Sequence, residues 1–124
     1  MEKKKILMVD DEERFGRMIK LVLEATGRYE VQIEGSGKRA LMAARTFLPD
    51  LVILDISMPD MDGAEVVEKL KEEPRFRPIP IIFLTGMVLK AETGPGSKSG
   101  GYPVIAKPVS ADEIIKAIEK NLKR

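Results

Sequence analysis

The chain has 124 residues, 44% of them apolar and 33% charged, with a formal net charge of +1. That is one domain's worth, residues 1–124, with an ordinary globular balance, enough to bury roughly two-thirds of its unfolded surface. Near-zero net charge leaves no global field to steer the chain to nucleic acid or to an anionic membrane. Cysteine and histidine are both absent, which excludes disulfides, thiolate sites, a Ser-His-Asp triad and any histidine base. The chemistry that remains must use carboxylates, lysine, hydroxyls, or a metal held by oxygen.

No apolar run approaches the ~20 residues that span a bilayer. No signal-peptide pattern opens the chain, so no membrane partner and a cytoplasmic location are expected. Lys3, Lys4 and Lys5 read as a solvated flank. They lead into Ile6-Leu-Met-Val9, an apolar run of strand length. The acids Asp10-Asp-Glu-Glu13 suit a helix N-terminus. From Glu13 to Thr26 the residues Phe15, Met18, Ile19, Val22 and Leu23 recur at helical spacing, and Gly27 fits the residue just past the helix end.

Tyr29-Glu-Val-Gln-Ile-Glu34 alternates apolar and polar, the pattern of an edge strand. Ser36 can cap a second helix through Arg45, with Leu41, Ala44 and Leu48 on its inner stripe. Leu51-Val-Ile-Leu-Asp55 follows as a strand buried on both faces, stopped by Met58-Pro59. Gly63 to Glu73 reads as a third helix with Val66, Val67 and Leu70 inward, and Pro74-Arg-Phe-Arg-Pro78 breaks it.

Ile79-Pro-Ile-Ile-Phe-Leu84 is a fourth strand, ending at Thr85-Gly86. Residues 87–101 begin with a stretch long enough for one or two helical turns. They end in a segment with four glycines and a proline in eight residues, so a stunted fourth helix and a mobile loop are expected. Pro103-Val-Ile-Ala106 is a fifth strand before Lys107-Pro108. Ser110-Ala-Asp-Glu113 is a capping box opening a last helix, with Ile114, Ile115, Ile118 and Leu122 inward.

Five β-α alternations call for a parallel sheet covered by helices on both faces, with right-handed crossovers. The alternating second strand belongs at an edge and the all-apolar first, third and fourth belong inside. That pattern predicts a doubly wound, flavodoxin-like α/β fold with strand order 2-1-3-4-5. Such sheets bind ligands beyond the carboxyl ends of their strands, beside the switch point.

At those ends stand Asp10 and Asp11, then Asp55, Thr85 and Lys107. Each alone has an ordinary explanation, as a helix-terminal acid, a strand threonine or a surface lysine. Together they pose a problem, because converging carboxylates repel and need compensation. Lysine supplies part of it, and Mg²⁺ suits a site of few carboxylates plus waters and phosphate oxygens. Such a site fits phosphoryl transfer to Asp55 as nucleophile, with Thr85 and Lys107 holding phosphoryl oxygens. The phosphodonor must come from outside, since the chain has no histidine or cysteine.

On Val9-Asp-Asp-Glu12, Leu54-Asp-Ile-Ser-Met-Pro-Asp-Met-Asp-Gly63, Leu84-Thr-Gly86 and Lys107-Pro108, the chain closely resembles the receiver domain of two-component response regulators. The intervals of 44, 30 and 22 positions between Asp11, Asp55, Thr85 and Lys107 also match that family. The resemblance implies that Asp55 is phosphorylated by a histidine kinase or histidine phosphotransfer protein, with a downstream effector protein or domain reading the result. It implies Mg²⁺ held by Asp11, Asp55 and the backbone carbonyl of Ser57, with Asp10 acting through water. Gly63 and Pro59 would shape the adjoining loop.

Receivers usually carry Tyr or Phe three residues before the lysine, as a rotamer switch. Here that residue is Val104. Tyr102, on the same strand face and about 6–7 Å away, is the candidate substitute. Ser57 and Met87 flank the path of hydrolytic water and are neither acidic nor amide-bearing, so slow self-dephosphorylation is expected rather than enzymatic turnover. Two other readings remain open. One is a docking module of the same fold that works without phosphorylation. The other is an aspartate-nucleophile phosphatase, against which stands Ser57 where such enzymes want a second acid. No effector segment follows Arg124, so the chain is either a stand-alone receiver or a fragment.

Overall fold

A computed structural model describes residues 2–56, 58, 61–86, 98–99, 102–107 and 110–122. Its strands are β1 (Lys4–Val9), β2 (Tyr29–Glu34), β3 (Leu51–Asp55), β4 (Ile81–Thr85), β5 (Lys98–Ser99) and β6 (Tyr102–Ala106). Its helices are α1 (Glu13–Ala25), α2 (Ala40–Phe47), α3 (Gly63–Lys71) and α4 (Ala111–Leu122). Short 3₁₀ turns at Gly37–Arg39 and Pro74–Phe76 precede α2 and β4.

The sheet runs β2-β1-β3-β4-β6-β5. Its first five members are parallel, and they carry the expected order 2-1-3-4-5 once β6 is counted as the fifth predicted strand. The two-residue β5 is an addition. Lys98–Ser99, expected within a loop, pairs antiparallel with β6 at its outer edge. The stunted helix expected from Met87 lies outside the described residues.

Strand alternation divides the core between the two sheet faces. Leu7, Val9, Val52, Leu54, Ile81, Phe83 and Val104 point to one face, where α2 and α3 supply Ala40, Ala44, Val66 and Leu70. Ile6, Met8, Leu51, Ile53, Ile82 and Leu84 point to the other, against Ile19 and Leu23 of α1 and Ile114 and Ile118 of α4. Every residue of β3 and β4 is buried, as their unbroken apolar runs require.

Helix boundaries follow local chemistry. Gly27, at φ 78°, turns the chain left-handed just after α1. Asp62 caps α3 by accepting from the Glu65 N–H at 2.9 Å. Ser110 and Glu113 form the reciprocal capping box, at 3.1 and 3.0 Å. Leu48 leaves its expected inner stripe, and Met18 of the apolar set on α1 is not buried. Met18 and Leu48 are 45% and 52% exposed. α2 opens through a 3₁₀ turn and ends at Phe47, so Phe47 takes the buried place and Leu48 becomes a left-handed cap at φ 56°. On α1, Ile19 and Leu23 face the sheet, and Met18 lies off that face. β4 also starts two residues later than Ile79, because the 3₁₀ turn carries the chain across to the sheet.

Candidate functional site

The carboxyl ends of β1, β3, β4 and β6 bring Asp10, Asp11, Asp55, Thr85 and Lys107 to one rim of the sheet. Local backbone bonds fix each position. The Asp10 N–H donates to the Glu34 carbonyl at 3.0 Å, holding the end of β1 in register with β2. Asp10 Oδ1 accepts the Glu12 N–H at 2.8 Å, a turn that carries the chain from β1 into α1. The Ile56 N–H donates to the Leu84 carbonyl at 2.9 Å, and the Lys107 N–H donates to the Thr85 carbonyl at 2.7 Å.

Gly63 closes the loop after Asp55. Its N–H donates to the Ile56 carbonyl at 2.7 Å. A Cβ at residue 63 would sit 2.9 Å from the Asp55 carbonyl oxygen and 3.0 Å from Ile56 Cα. Backbone cannot give way there, so α3 can begin this close to the rim only with glycine at its first residue.

Asp10 and Asp55 are buried and Asp11 is exposed, and one carboxylate oxygen from each lies within 4.8 Å of the others. Lys107 Nζ stands among the acids, 2.8 Å from Asp10 Oδ2 and 3.5 Å from Asp55 Oδ2. It also pairs closely with Glu12 Oε1. The Phe15 ring lies on its other side, with the centroid 4.8 Å from Nζ. Burial opposes the charge on Lys107, but the contacts with Asp10 and Glu12 and the field of Asp55 outweigh it. They hold the amine's pKa above the usual lysine range.

Asp10 Oδ2 is buried and has no hydrogen-bond donor among the described residues. Its approach to Lys107 is an ion pair outside hydrogen-bond alignment. A buried carboxylate oxygen left in that state is open to a hard cation, and the three neighbouring acids offer the oxygen donors that Mg²⁺ takes. The residues present therefore fit that ion. The Ser57 carbonyl, Pro59 and Met87 lie outside the described residues.

Thr85 is buried at the end of β4, paired in register with Ala106. By strand parity its side chain follows the Phe83 and Val104 face, while Asp55 follows the Ile53 face. Val104 is buried there, and the half-buried Tyr102 ring meets Phe83 edge-on at 5.9 Å. Sequence reasoning missed Glu12 and Phe15 as neighbours of Lys107. In the sequence Glu12 has the pattern of a helix-terminal acid and Phe15 that of an apolar helix position. Their proximity to a strand-end aspartate pair was the available signal.

The family model of the response regulator receiver domain matches residues 6–119. The chain is 34% identical over 117 residues to the response regulator Rre1 of Synechocystis sp., covering 94% of this chain and half of that protein's length. It is 34% identical over 119 residues to the polar-differentiation response regulator DivK of Brucella ovis, covering 96% of both. A crystal structure of a putative response regulator from Chloroflexus aurantiacus superposes with TM-score 0.85 at 30% identity, over 99% of this chain and 100% of that one. The chemotaxis protein CheY4 of Vibrio cholerae gives TM-score 0.83 at 28% identity, over 96% and 98%. With its strand order, its acidic rim and these relatives in agreement, the chain belongs to the response regulator receiver domain family.

Proposed function

We propose that residues 1–124 form a single receiver domain acting as the phosphoacceptor of a two-component phosphorelay in the cytoplasm, with Asp55 as its acceptor. The observation that carries this reading is the convergence of Asp10, Asp11 and Asp55 around one point, with Lys107 Nζ 3.5 Å from Asp55. The donor is a phosphohistidine on a partner kinase or phosphotransfer protein. An Asp55 carboxylate oxygen attacks phosphorus in line, the P–N bond breaks, and the electron pair leaves with the donor imidazole.

Asp10, Asp11 and Asp55, with the Ser57 carbonyl, would hold Mg²⁺, which when bound neutralises charge on the phosphoryl oxygens. Lys107 carries its charge at any physiological pH, and its amine pairs with one phosphoryl oxygen. The Thr85 hydroxyl donates to another, and the aspartyl phosphate is passed on as a conformational signal to a downstream protein or domain. Tyr102 and Val104 are the switch candidates: a valine cannot swing as an aromatic does, and Tyr102 is anchored on Phe83. Self-dephosphorylation is slow, because neither Ser57 nor Met87, two positions after Asp55 and Thr85 in the sequence, is acidic or amide-bearing. A phosphoryl half-life of about a minute or less would contradict that.

Incubation with Mg²⁺ and acetyl phosphate tests the main reading by intact mass. The chain gains one phosphoryl group and the Asp55→Asn variant gains none. Absence of any mass gain in the unsubstituted chain would instead favour phosphorylation-independent docking, and repeated turnover of a phosphomonoester would favour a phosphatase.

A further inference from the structure

We infer that Glu12 is a positioning residue that competes with Asp55, and with a phosphoryl group arriving there, for the Lys107 amine. The inference rests on the phosphoacceptor reading above and names a further participant in that site. The three acids around the amine are unequal. Asp10 lies 2.8 Å from Nζ and is fully buried, Glu12 makes the shortest contact with a side chain 61% exposed, and Asp55 is the most distant at 3.5 Å.

Glu12 is held in place through its own backbone, whose N–H is bound by Asp10 Oδ1. Its carboxylate, on a largely exposed side chain, meets Lys107 from the solvent side of the rim. The Phe15 ring lies 4.8 Å from the amine, and beside the buried Asp10 contact the charged end is shared between Glu12 and Asp55. An exposed ion pair is weak because water screens it and the side chains lose freedom in forming it. The Glu12 contact is thus strong enough to set the resting place of the amine and weak enough to yield to a phosphoryl group, which carries more negative charge than one carboxylate. A phosphoryl group at Asp55 therefore draws the amine toward itself and weakens the Glu12–Lys107 pair.

The test is equilibrium binding of beryllofluoride, a mimic of the phosphoryl group, at saturating Mg²⁺, followed by amide resonances. The Glu12→Gln variant binds about two- to fivefold more tightly than the unsubstituted chain, the range an exposed ion pair commands. The Glu12→Asp variant keeps the charge but is one methylene short of the contact, and it shifts in the same direction. Tighter binding by the glutamine variant alone would mean that the charge acts through its field and not through the contact, overturning the inference. Equal affinities for all three chains would also overturn it. If the unsubstituted chain fails to bind beryllofluoride with Mg²⁺, the phosphoacceptor reading itself fails, a result distinct from equal binding by all three.

Discussion

Lys107 governs the charge balance at the rim. It is the cation that the buried Asp10 carboxylate meets there, and its own side chain is only 12% exposed. Removing one partner of a buried pair leaves an uncompensated charge, at a cost of about 3 kcal/mol. The Lys107→Met variant is therefore expected to unfold at lower denaturant concentration in metal-free buffer, and added Mg²⁺ should return part of the loss. Equal midpoints for the two chains in a chelator would contradict this. The acids were legible in the sequence because each ends an apolar run of strand length, a local pattern. Glu12 and Phe15 were not, because both also satisfy the ordinary pattern of a helix start.

Among the elements, β2 shows how an edge strand is closed. In its parallel pairing with β1, the backbone groups of Val31 face outward. The Val31 N–H donates to Glu24 Oε2 at 3.0 Å, and its carbonyl accepts from Lys20 Nζ at 2.6 Å. Lys20 and Glu24 also pair with each other at 2.9 Å along α1. Two charged side chains thus occupy the positions that a foreign strand would need. The Val31 N–H, and then Lys20, hold the Glu24 pKa below its usual value. A depressed carboxylate contributes stability above its unfolded pKa and loses it as pH falls through the folded one. The stability advantage of the unsubstituted chain over Glu24→Gln should be constant near neutral pH, begin to fall as acidification reaches the ordinary glutamate range, and be lost as pH drops through the lower pKa of the folded chain, as denaturant titrations at several pH values would show. An advantage independent of pH would rule out the ionised contact as its source. The edge position of β2 was legible from alternation. The side chains closing that edge were not, since α1 reaches β2 only after both have packed.

For the molecule as a whole, a metal ion held by the cluster of acids would link binding to folding. A ligand bound only by the folded state, present at 100 times its dissociation constant, adds about 2.7 kcal/mol to the unfolding free energy. Mg²⁺ should raise the unfolding midpoint of this chain, and Asp11→Asn should reduce that response, as thermal melts with and without chelator would measure. An unchanged midpoint at saturating Mg²⁺ would argue against the assigned ion. The sequence by itself determined the strand order, the two helical layers and the residues at the strand ends. Apolar run length, alternation and the proline and glycine stops are local properties, and a parallel sheet has few ways to accommodate them. Tertiary structure alone decided the sixth strand on β6, the outward turn of Leu48 and the neighbours of Lys107. Lys107 and Glu12 stand 95 positions apart in the chain. Their meeting depends on how α1 leaves the end of β1, a geometry that exists only once the helix is seated on the sheet.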